Sequence, residues 1–226
     1  ALGCNSSEEA LQELSSLGRN AKSLPLRQHA AAVLDRVAAD RGLLPEQLDD
    51  LLTPGLGIGR DHLKIRDTIY TVELDASGLV LRTPGGEIVT ALTKPGTEDD
   101  KAAAAEWNRR RRAAKKVVAE AAGRLEQAMI TQRRWASTEF TTRITRHPLL
   151  GGFAQRLVWR AKGQLFTVDQ RGVRVADNGG GVRDGGGWVQ LAHPAVDHLE
   201  PWRTRFTKRH LAQPFLQIDR EAYEGD

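Results

Sequence analysis

The sequence predicts an α+β fold, in which a helical N-terminal segment is followed by a small antiparallel β meander, a long central helix and a second antiparallel β region. Three observations support this prediction. Apolar residues recur at helical spacing before residue 53, and between residues 62 and 92 they alternate at strand spacing. From Thr97 to Gln132 one helical pattern continues with Gly123 as its only breaker.

The N-terminal segment is explained by two amphipathic helices and a shorter third one. Ser6–Ser7–Glu8–Glu9 has the pattern of a capping box and predicts a helix that ends at Gly18. Pro25 suits the first turn of the second helix, and the third begins at Pro45 and is ended by Thr53–Pro54. A helix pair of this size resembles one HEAT-like repeat, which needs stacked neighbours for stability. We therefore expect a longer repeat region to precede it.

The meander and the long helix follow. Tyr70, Val72 and Leu74 alternate with more polar residues, which predicts one buried strand face. Asp75–Ala76–Ser77–Gly78 and Thr83–Pro84–Gly85–Gly86 are turn sequences, and they delimit two further strands over 79–82 and 87–92. In the long helix an apolar stripe is expected to face the core; it consists of Trp107, Ala114, Val118, Ala121, Leu125 and Met129.

The remaining chain predicts mixed elements of a second β region. We expect a helix over Trp135–His147, ended by Pro148, and a basic helix over Glu200–His210. Between them the predicted strands are Leu157–Trp159, Leu165–Val168, Gly172–Val175 and Trp188–Leu191. Residues 178–187 contain six glycines and are expected to form a surface loop. The predicted domains are a HEAT-like helical segment over residues 1–58 and an α+β domain over residues 59–226.

Composition and charge limit the classes of function. The chain has 226 residues, of which 40% are hydrophobic and 27% are charged, as in soluble globular proteins. It lacks an apolar run of about 18 residues, and its lone cysteine, Cys4, excludes an intramolecular disulfide. We expect a cytoplasmic protein with no contact with a membrane. Residues 1–100 carry 10 Lys/Arg and 16 Asp/Glu, whereas residues 101–226 carry 23 and 13, so an anionic partner is expected for the second half.

The basic block on the long helix is the strongest candidate binding site. Guanidinium groups match phosphate oxygens, so these residues are candidates for binding an anion or a nucleic acid. The alternative is a solvated helix face that is neutralised by acids of the same chain. Four consecutive arginines cover every side of a helix, so at least one must face the core side. The candidate residues are Arg109, Arg110, Arg111, Arg112, Lys115, Lys116, Arg133 and Arg134.

Motifs for catalysis, metals and cofactors are not found. His193, Asp197, His198 and His210 lack the spacing of a closed zinc site, and His147 is expected at a helix C-terminus. The glycine run matches no phosphate-binding fingerprint. We therefore expect neither a cofactor nor a metal, and we predict structural roles for these residues.

Large aromatic residues are expected to anchor the packing. The five tryptophans, including Trp188, occur one per predicted element, and each buries a large area when it lies in a core. The predicted anchors are Trp107, Trp135, Trp159, Trp202 and Phe215.

Together, several segments resemble a known bacterial family. The segments are Arg124–Met129, Arg133–Trp135, Phe140, His147–Leu149, Arg156–Trp159, His193–Pro194, Trp202 and Gln213–Arg220. Their order and spacing resemble the MolR-like, WGR-associated domain of unknown function of the DUF4132 type, which is preceded by the end of a HEAT-like repeat region. Where the family has a serine cap after the tryptophan, this chain has Ala136, and Ser137 is expected to replace the cap. Because family proteins continue past Arg220, we expect the domain to be incomplete at its C-terminal end.

The resemblance implies little chemistry, because the family has no settled activity. Its members are large multidomain proteins associated with MoxR-type ATPases, which suggests such a system as a protein partner. Our leading hypothesis is a non-catalytic regulatory and protein-interaction module. One alternative is nucleic-acid or anionic-ligand binding by the basic face of the long helix. Another is an enzyme that flanking residues complete.

Overall fold

The computed structural model describes residues 8–75, 78–89, 92 and 94–220. The chain divides into two compact units, Ala1–Pro54 and Gly55–Asp226. The helices and the two antiparallel sheets confirm the predicted α+β class. The domain boundary predicted between residues 58 and 59 stays a prediction, as does the relation of the first unit to HEAT repeats.

The described residues of the first unit form three helices, α1 (Glu8–Asn20), α2 (Leu24–Asp40) and α3 (Pro45–Leu51). Its core contains Leu11, Ala38, Leu48 and Leu52. The predicted end of α1 at Gly18 is wrong, because the helix continues for two more residues. A Cβ atom at Gly18 would lie 3.6 Å from the Cβ of Ala30 in α2, so the glycine lets these helices pack closely. The predicted cap at Ser6–Ser7 lies outside the described residues.

The first sheet has four antiparallel strands in chain order: β1 (His62–Ile65), β2 (Thr68–Asp75), β3 (Gly78–Arg82) and β4 (Ile88–Val89). Tyr70 and Val72 are buried and Leu74 is half-buried on the face that the alternation predicts. Residues 76–77 of the predicted turn after Asp75 lie outside the described part of the chain, as do residues 90–91 near the end of the last predicted strand. Trp107 and Ala114 of the long helix complete the core of this sheet.

The long helix α4 (Glu98–Ile130) begins at a cap that the sequence encodes locally. Asp100 accepts a hydrogen bond from the Thr97 amide, 3.0 Å away, and its own amide donates to the Thr97 hydroxyl at 3.1 Å. The Asp100 carboxylate also accepts from the amides of Arg66 and Gly96, both at 2.9 Å. These amides, with that of Arg66 first, lower the pKa of Asp100 to about 2. The predicted apolar stripe is buried, except that Val118 is half-buried.

The second sheet is also antiparallel, with the strand order β5-β9-β6-β7-β8. Its strands are β5 (Arg134–Ala136), β6 (Trp159–Ala161), β7 (Gln164–Val168), β8 (Arg174–Val175) and β9 (Trp188–Leu191). One face packs with α4 and α6 (Pro148–Ala154) around Trp135, Trp159 and Phe166. Part of the opposite face is covered by α7 (Glu200–Lys208), whose Trp202 and Phe206 pack near Val158.

The predicted helix over Trp135–His147 is wrong in its first part. Trp135 lies in β5, and the helical conformation begins only with α5 (Ser137–Glu139), which continues as the π-helical segment π1 (Phe140–Thr145). Pro148 does not end a helix but occupies the first turn of α6, where its missing N–H is harmless. His147 is accordingly an N-cap, because its Nδ1 accepts from the amides of Leu149 and Leu150 at 3.2 and 3.1 Å. Its predicted role at a helix C-terminus is wrong.

Four of the predicted aromatic anchors, Trp107, Trp135, Trp159 and Trp202, are buried, and Phe215 is half-buried against the core of the second sheet. Trp188 is the exception, with 57% of its surface exposed. In the part of the chain that is described, no helix combines the length and the apolar character that a membrane span needs.

Candidate functional site

The four consecutive arginines of α4 have different environments because each residue of a helix is rotated by about 100° from the one before. Arg110 faces the inner side. Its guanidinium forms an ion pair with Asp61 at 2.6 Å and donates to the backbone carbonyl of Leu56. Gly57 has a φ of 65°, and a Cβ atom there would overlap both charged groups. Arg110 therefore has a structural role, because its contacts with Asp61 and Leu56 hold the loop before the first sheet.

The other basic residues of this helix remain closer to solvent. Arg109 is exposed and forms an ion pair with Glu106, one turn away on the same helix. Arg111, Arg112, Lys115 and Lys116 are all exposed, and Arg111 and Lys115 also line a cavity beside the first sheet. The basic block thus contains two residues in ion pairs, two that line a cavity and two that are exposed away from it.

Arg133 and Arg134 do not join this block. The helix alone spans roughly 27 Å between Arg112 and its end at Ile130, at a rise of about 1.5 Å per residue. The Arg133 guanidinium lies 4.6 Å from the ring centre of Trp135, and Arg134 donates to Gln190 at 3.2 Å. The eight basic candidates therefore form two separate surfaces, and anion binding by either stays a prediction.

The second surface contains an exposed tryptophan on a sheet. Trp188 pairs with Ala136, and Gln190 pairs with both Arg134 and Arg160. Since side chains two residues apart in a strand lie on the same face, Trp188 and Gln190 share the face opposite the buried Val189. We call the set of Arg134, Arg160, Lys162, Trp188 and Gln190 the tryptophan face.

Hydrogen bonds organise the polar part of the tryptophan face. The side chain of Gln132 accepts from both Arg160 and Gln190, at 3.1 and 2.8 Å. Arg160 also pairs with Asp197 at 3.1 Å. Lys162 is exposed, and its ammonium group donates to the Gly185 carbonyl at 2.6 Å. The Asp184 carboxylate is close enough to interact with the charge of Lys162. The exposed indole thus shares its strand face with polar side chains that hydrogen bonds hold in place, and two carboxylates, those of Asp184 and Asp197, lie near these side chains.

The glycine-rich loop is held by a charge network between the buried Arg174 and the exposed Asp184, which the sequence did not predict. Arg174 is 6% exposed and donates to the Ser137 hydroxyl at 2.5 Å, while that hydroxyl donates to Asp184 at 2.6 Å. The Arg174 guanidinium also lies 4.9 Å from the ring centre of Phe166. Burial lowers the pKa of Arg174, and the hydrogen bond from Ser137 is the main cause of a lowered pKa at Asp184. The hydrogen bond from Ser137 thus favours the ionised form of Asp184, which lies 3.2 Å from the Arg174 guanidinium.

Ser137 is consequently not the substitute helix cap that the sequence predicts. It is the first residue of α5, and its hydroxyl is engaged by the loop. The cap is formed instead by Glu139, which accepts a hydrogen bond from the amide of Ala136 at 3.3 Å. This network therefore connects the glycine-rich loop, through Asp184, to Arg174 and to the start of α5.

His193 and Asp197 have structural contacts. His193 Nδ1 accepts from the amide of Ala195 at 3.2 Å, and Asp197 accepts from the amide of His193 at 2.9 Å. These bonds form a turn after β9. Over the described ranges, no group of three or more His, Cys, Asp or Glu side chains is arranged to hold a metal ion.

Sequence reasoning missed Trp188 and the buried Arg174 as residues of interest. Trp188 was interpreted only as one of five tryptophans that anchor the packing, and no role was predicted for Arg174. For Trp188 the available signal was its position directly after three glycines, which indicates a strand that begins at an exposed loop. No local signal identifies Arg174, because its partners Ser137 and Asp184 are distant in the chain.

Comparisons with known proteins give a family match. Residues 86–225 match a family model described as a domain of unknown function (DUF4132). The chain is similar to the uncharacterized protein YehI of Escherichia coli (strain K12), with 32% identity over 158 residues. That match covers 66% of this chain and 13% of the relative, so the chain spans about an eighth of that protein's length. No solved structure matches.

Proposed function

This chain belongs to the family of the domain of unknown function DUF4132, and on that premise we propose that it is a non-catalytic protein-interaction module of a larger multidomain protein. The match to 13% of a much longer relative supports the view that the chain works inside a larger protein. The observation that carries the proposal is the exposure of Trp188 on an ordered sheet face.

An exposed tryptophan is unusual on a surface that has no partner. Trp188 presents an apolar surface to water at 57% exposure, although neighbouring strand residues are fully buried. Burying such a ring against a partner gains free energy in proportion to the apolar area removed from water. Tryptophan and arginine are also the residue types that contribute most often to the binding energy of interfaces. Trp188 with Arg134 and Arg160 therefore has the composition of an interface centre.

Charge complementarity defines the class of partner. Arg134, Arg160 and Lys162 contribute three positive charges to the tryptophan face. Asp197 offsets one of them through its ion pair with Arg160, and Asp184, which also pairs with Arg174, lies close to Lys162. The excess of positive charge favours a partner segment with carboxylates. The occupant we propose is an acidic peptide segment of a partner protein that places an apolar side chain on Trp188.

Several polar side chains of this unit form structural hydrogen bonds, which supports a non-catalytic role. His147 caps a helix, His193 and Asp197 form a turn, and Ser137 and Asp184 hold the glycine-rich loop. A regulatory role, a cytoplasmic location and an ATPase system of the MoxR type as the partner remain parts of the proposal that rest on the sequence. Nucleic-acid or anionic-ligand binding by the basic face of the long helix stays the second hypothesis.

A peptide selection tests the proposal directly. A random peptide library is selected on the immobilised chain, and the affinities of enriched peptides are measured by fluorescence anisotropy. We expect enriched peptides to carry Asp or Glu beside an apolar residue. Trp188→Ala should weaken their binding at least tenfold, since interface centres contribute about 2 kcal/mol or more. Arg134→Gln should weaken it less and reduce its dependence on salt.

A matched control is provided by Leu216, which is 58% exposed and lies outside the tryptophan face. Leu216→Ala should leave the affinity unchanged. The proposal is wrong if enriched peptides bind the Trp188→Ala variant as tightly as the wild type, or if they lack acidic residues. A fluorescent DNA oligonucleotide, titrated at two salt concentrations, tests the second hypothesis, which predicts tighter binding at low salt.

A further inference from the structure

We propose that the cavity between the long helix and the first sheet binds a small organic anion, with Arg111 and Lys115 holding its anionic group and apolar side chains enclosing its body. This site is separate from the tryptophan face and does not depend on it. It assigns a ligand to two of the residues that the sequence identified as basic.

The cavity has a volume of about 240 Å³ and opens beside α4. Leu79 and Leu81 of β3, Val89 of β4 and Trp107 of α4 form its apolar wall. Its polar lining consists of Asp75, Arg111 and Lys115. An apolar cavity of about 150 Å³ accommodates a benzene molecule, so this one has room for a single ring with an attached charged group.

Lys115 lies four positions after Arg111 in the helix, so the two side chains are neighbours on one face. Both are exposed, and neither forms an ion pair within the ranges that the structure describes. This distinguishes them from Arg109 and Arg110, whose guanidinium groups pair with Glu106 and Asp61. The two cations at the cavity thus remain available to a ligand.

Asp75 offsets only part of this positive charge. Lys115 and Asp75 also line a second cavity, of about 170 Å³, which contains Arg156. Burial lowers the pKa of the Arg156 guanidinium, and the charge of Asp75 opposes that effect. Of the charged residues that line the first cavity, Arg111 and Lys115 are positive and Asp75 is negative, so an excess of one positive charge remains. An anionic group between them avoids the cost of bringing two cations together at the edge of an apolar wall.

Binding of phenyl phosphate, measured by isothermal titration calorimetry, tests the inference. This probe carries an anion on a ring of the size that the cavity accommodates. Phenylacetate is titrated in parallel to distinguish phosphate from carboxylate chemistry. Inorganic phosphate represents the anion alone, and phenol represents the ring alone. We expect at least one of the two ring-bearing anions to bind at least tenfold more tightly than phosphate or phenol.

A matched pair of double variants locates the site. Arg111→Gln with Lys115→Gln should weaken binding of the ring-bearing anion at least tenfold. Arg112→Gln with Lys116→Gln removes the same charge from adjacent exposed positions of the same helix and should leave the affinity within twofold. All four side chains are exposed, so both variants are expected to fold, and circular dichroism checks this.

Three results would overturn the inference. The first is the absence of binding of both ring-bearing anions to the folded wild type. The second is equal weakening in the two double variants, which would indicate a general charge effect rather than a site. The third is equal affinity for inorganic phosphate and for the better ring-bearing anion, because the apolar wall would then contribute nothing. Failure here leaves the peptide selection unaffected, since none of these residues belongs to the tryptophan face.

Discussion

Replacing Trp159 by alanine should remove a large part of the stability of the second unit. Trp159 has no exposed surface and lies in the core of the second sheet. Its ring packs edge-to-face with Phe140 at 4.7 Å and with Trp135 at 5.7 Å between ring centres. Its indole N–H donates to the backbone carbonyl of Ala154 at 3.1 Å.

These contacts set the expected magnitude. Truncating a buried aromatic residue to alanine costs about 3–5 kcal/mol, because apolar contact is lost and a cavity remains. The two aromatic pairs and the hydrogen bond place Trp159 in the upper half of that range, at about 4–5 kcal/mol. Since small proteins are stable by only about 5–15 kcal/mol, Trp159→Ala should leave the unit marginally folded or unfolded.

Trp188 offers the matched control, because the same truncation at an exposed position removes little buried surface. We expect Trp188→Ala to change the free energy of unfolding by less than about 0.5 kcal/mol, as is usual for surface substitutions. Urea unfolding followed by circular dichroism, with linear extrapolation to water, measures both variants. The reasoning is refuted if Trp159→Ala lowers the free energy of unfolding by less than about 1 kcal/mol, or if Trp188→Ala lowers it as much as Trp159→Ala does.

Four further outcomes are expected. Asp100→Asn should lower the free energy of unfolding at neutral pH. Because the pKa of Asp100 is lowered to about 2 in the folded protein, its carboxylate stabilises the fold above the unfolded-state pKa of about 4, and this stabilisation is lost as the pH falls towards 2. The difference in unfolding free energy between wild type and variant should therefore shrink over this range, and a constant difference in urea unfolding would contradict the prediction. Gly123→Ala should raise the unfolding free energy by about 0.5–1 kcal/mol, because its Cβ enters open space on a helix. Gly151→Ala should lower the melting temperature, since its Cβ would lie 2.5 Å from a backbone oxygen, and an unchanged value would refute the predicted clash. Arg110→Gln should cost about 1 kcal/mol in urea unfolding by breaking the pair with Asp61, and a loss below about 0.2 kcal/mol would show that the pair is not structural.

The long helix was predictable because its signals are local. Thr97 and Asp100 form the cap from residues three positions apart, and the stripe from Trp107 to Met129 repeats at the helical period. The first sheet was predictable for the same reason, since Tyr70 and Val72 alternate with exposed positions. The tertiary structure then determined only which residues contact these elements, because their conformation already followed from the local sequence.

The region around Trp135 was mispredicted because its local signals are ambiguous. A strand of three residues is too short to show alternation, and Trp135 is in β5 only because Val189 of a distant strand pairs with it. Pro148 suits either the end of one helix or the first turn of the next. The cap that His147 provides to α6 decides in favour of the second.

The candidate sites divide in the same way. The basic residues of the long helix were visible in the sequence, and the sequence also required at least one arginine to face inward. Only the tertiary structure decided that Arg110 meets Asp61, that Arg111 and Lys115 line a cavity, and that Arg134 lies on another surface with Trp188.

By itself, the sequence determined the α+β class, the long capped helix and the alternating strands of the first sheet. These follow from hydrogen bonds and apolar periodicities that act within a few residues. The exposure of Trp188, the burial of Arg174 and the division of the basic block were decided only by the tertiary structure. They depend on which face of a sheet another element covers and on charges brought together from distant parts of the chain.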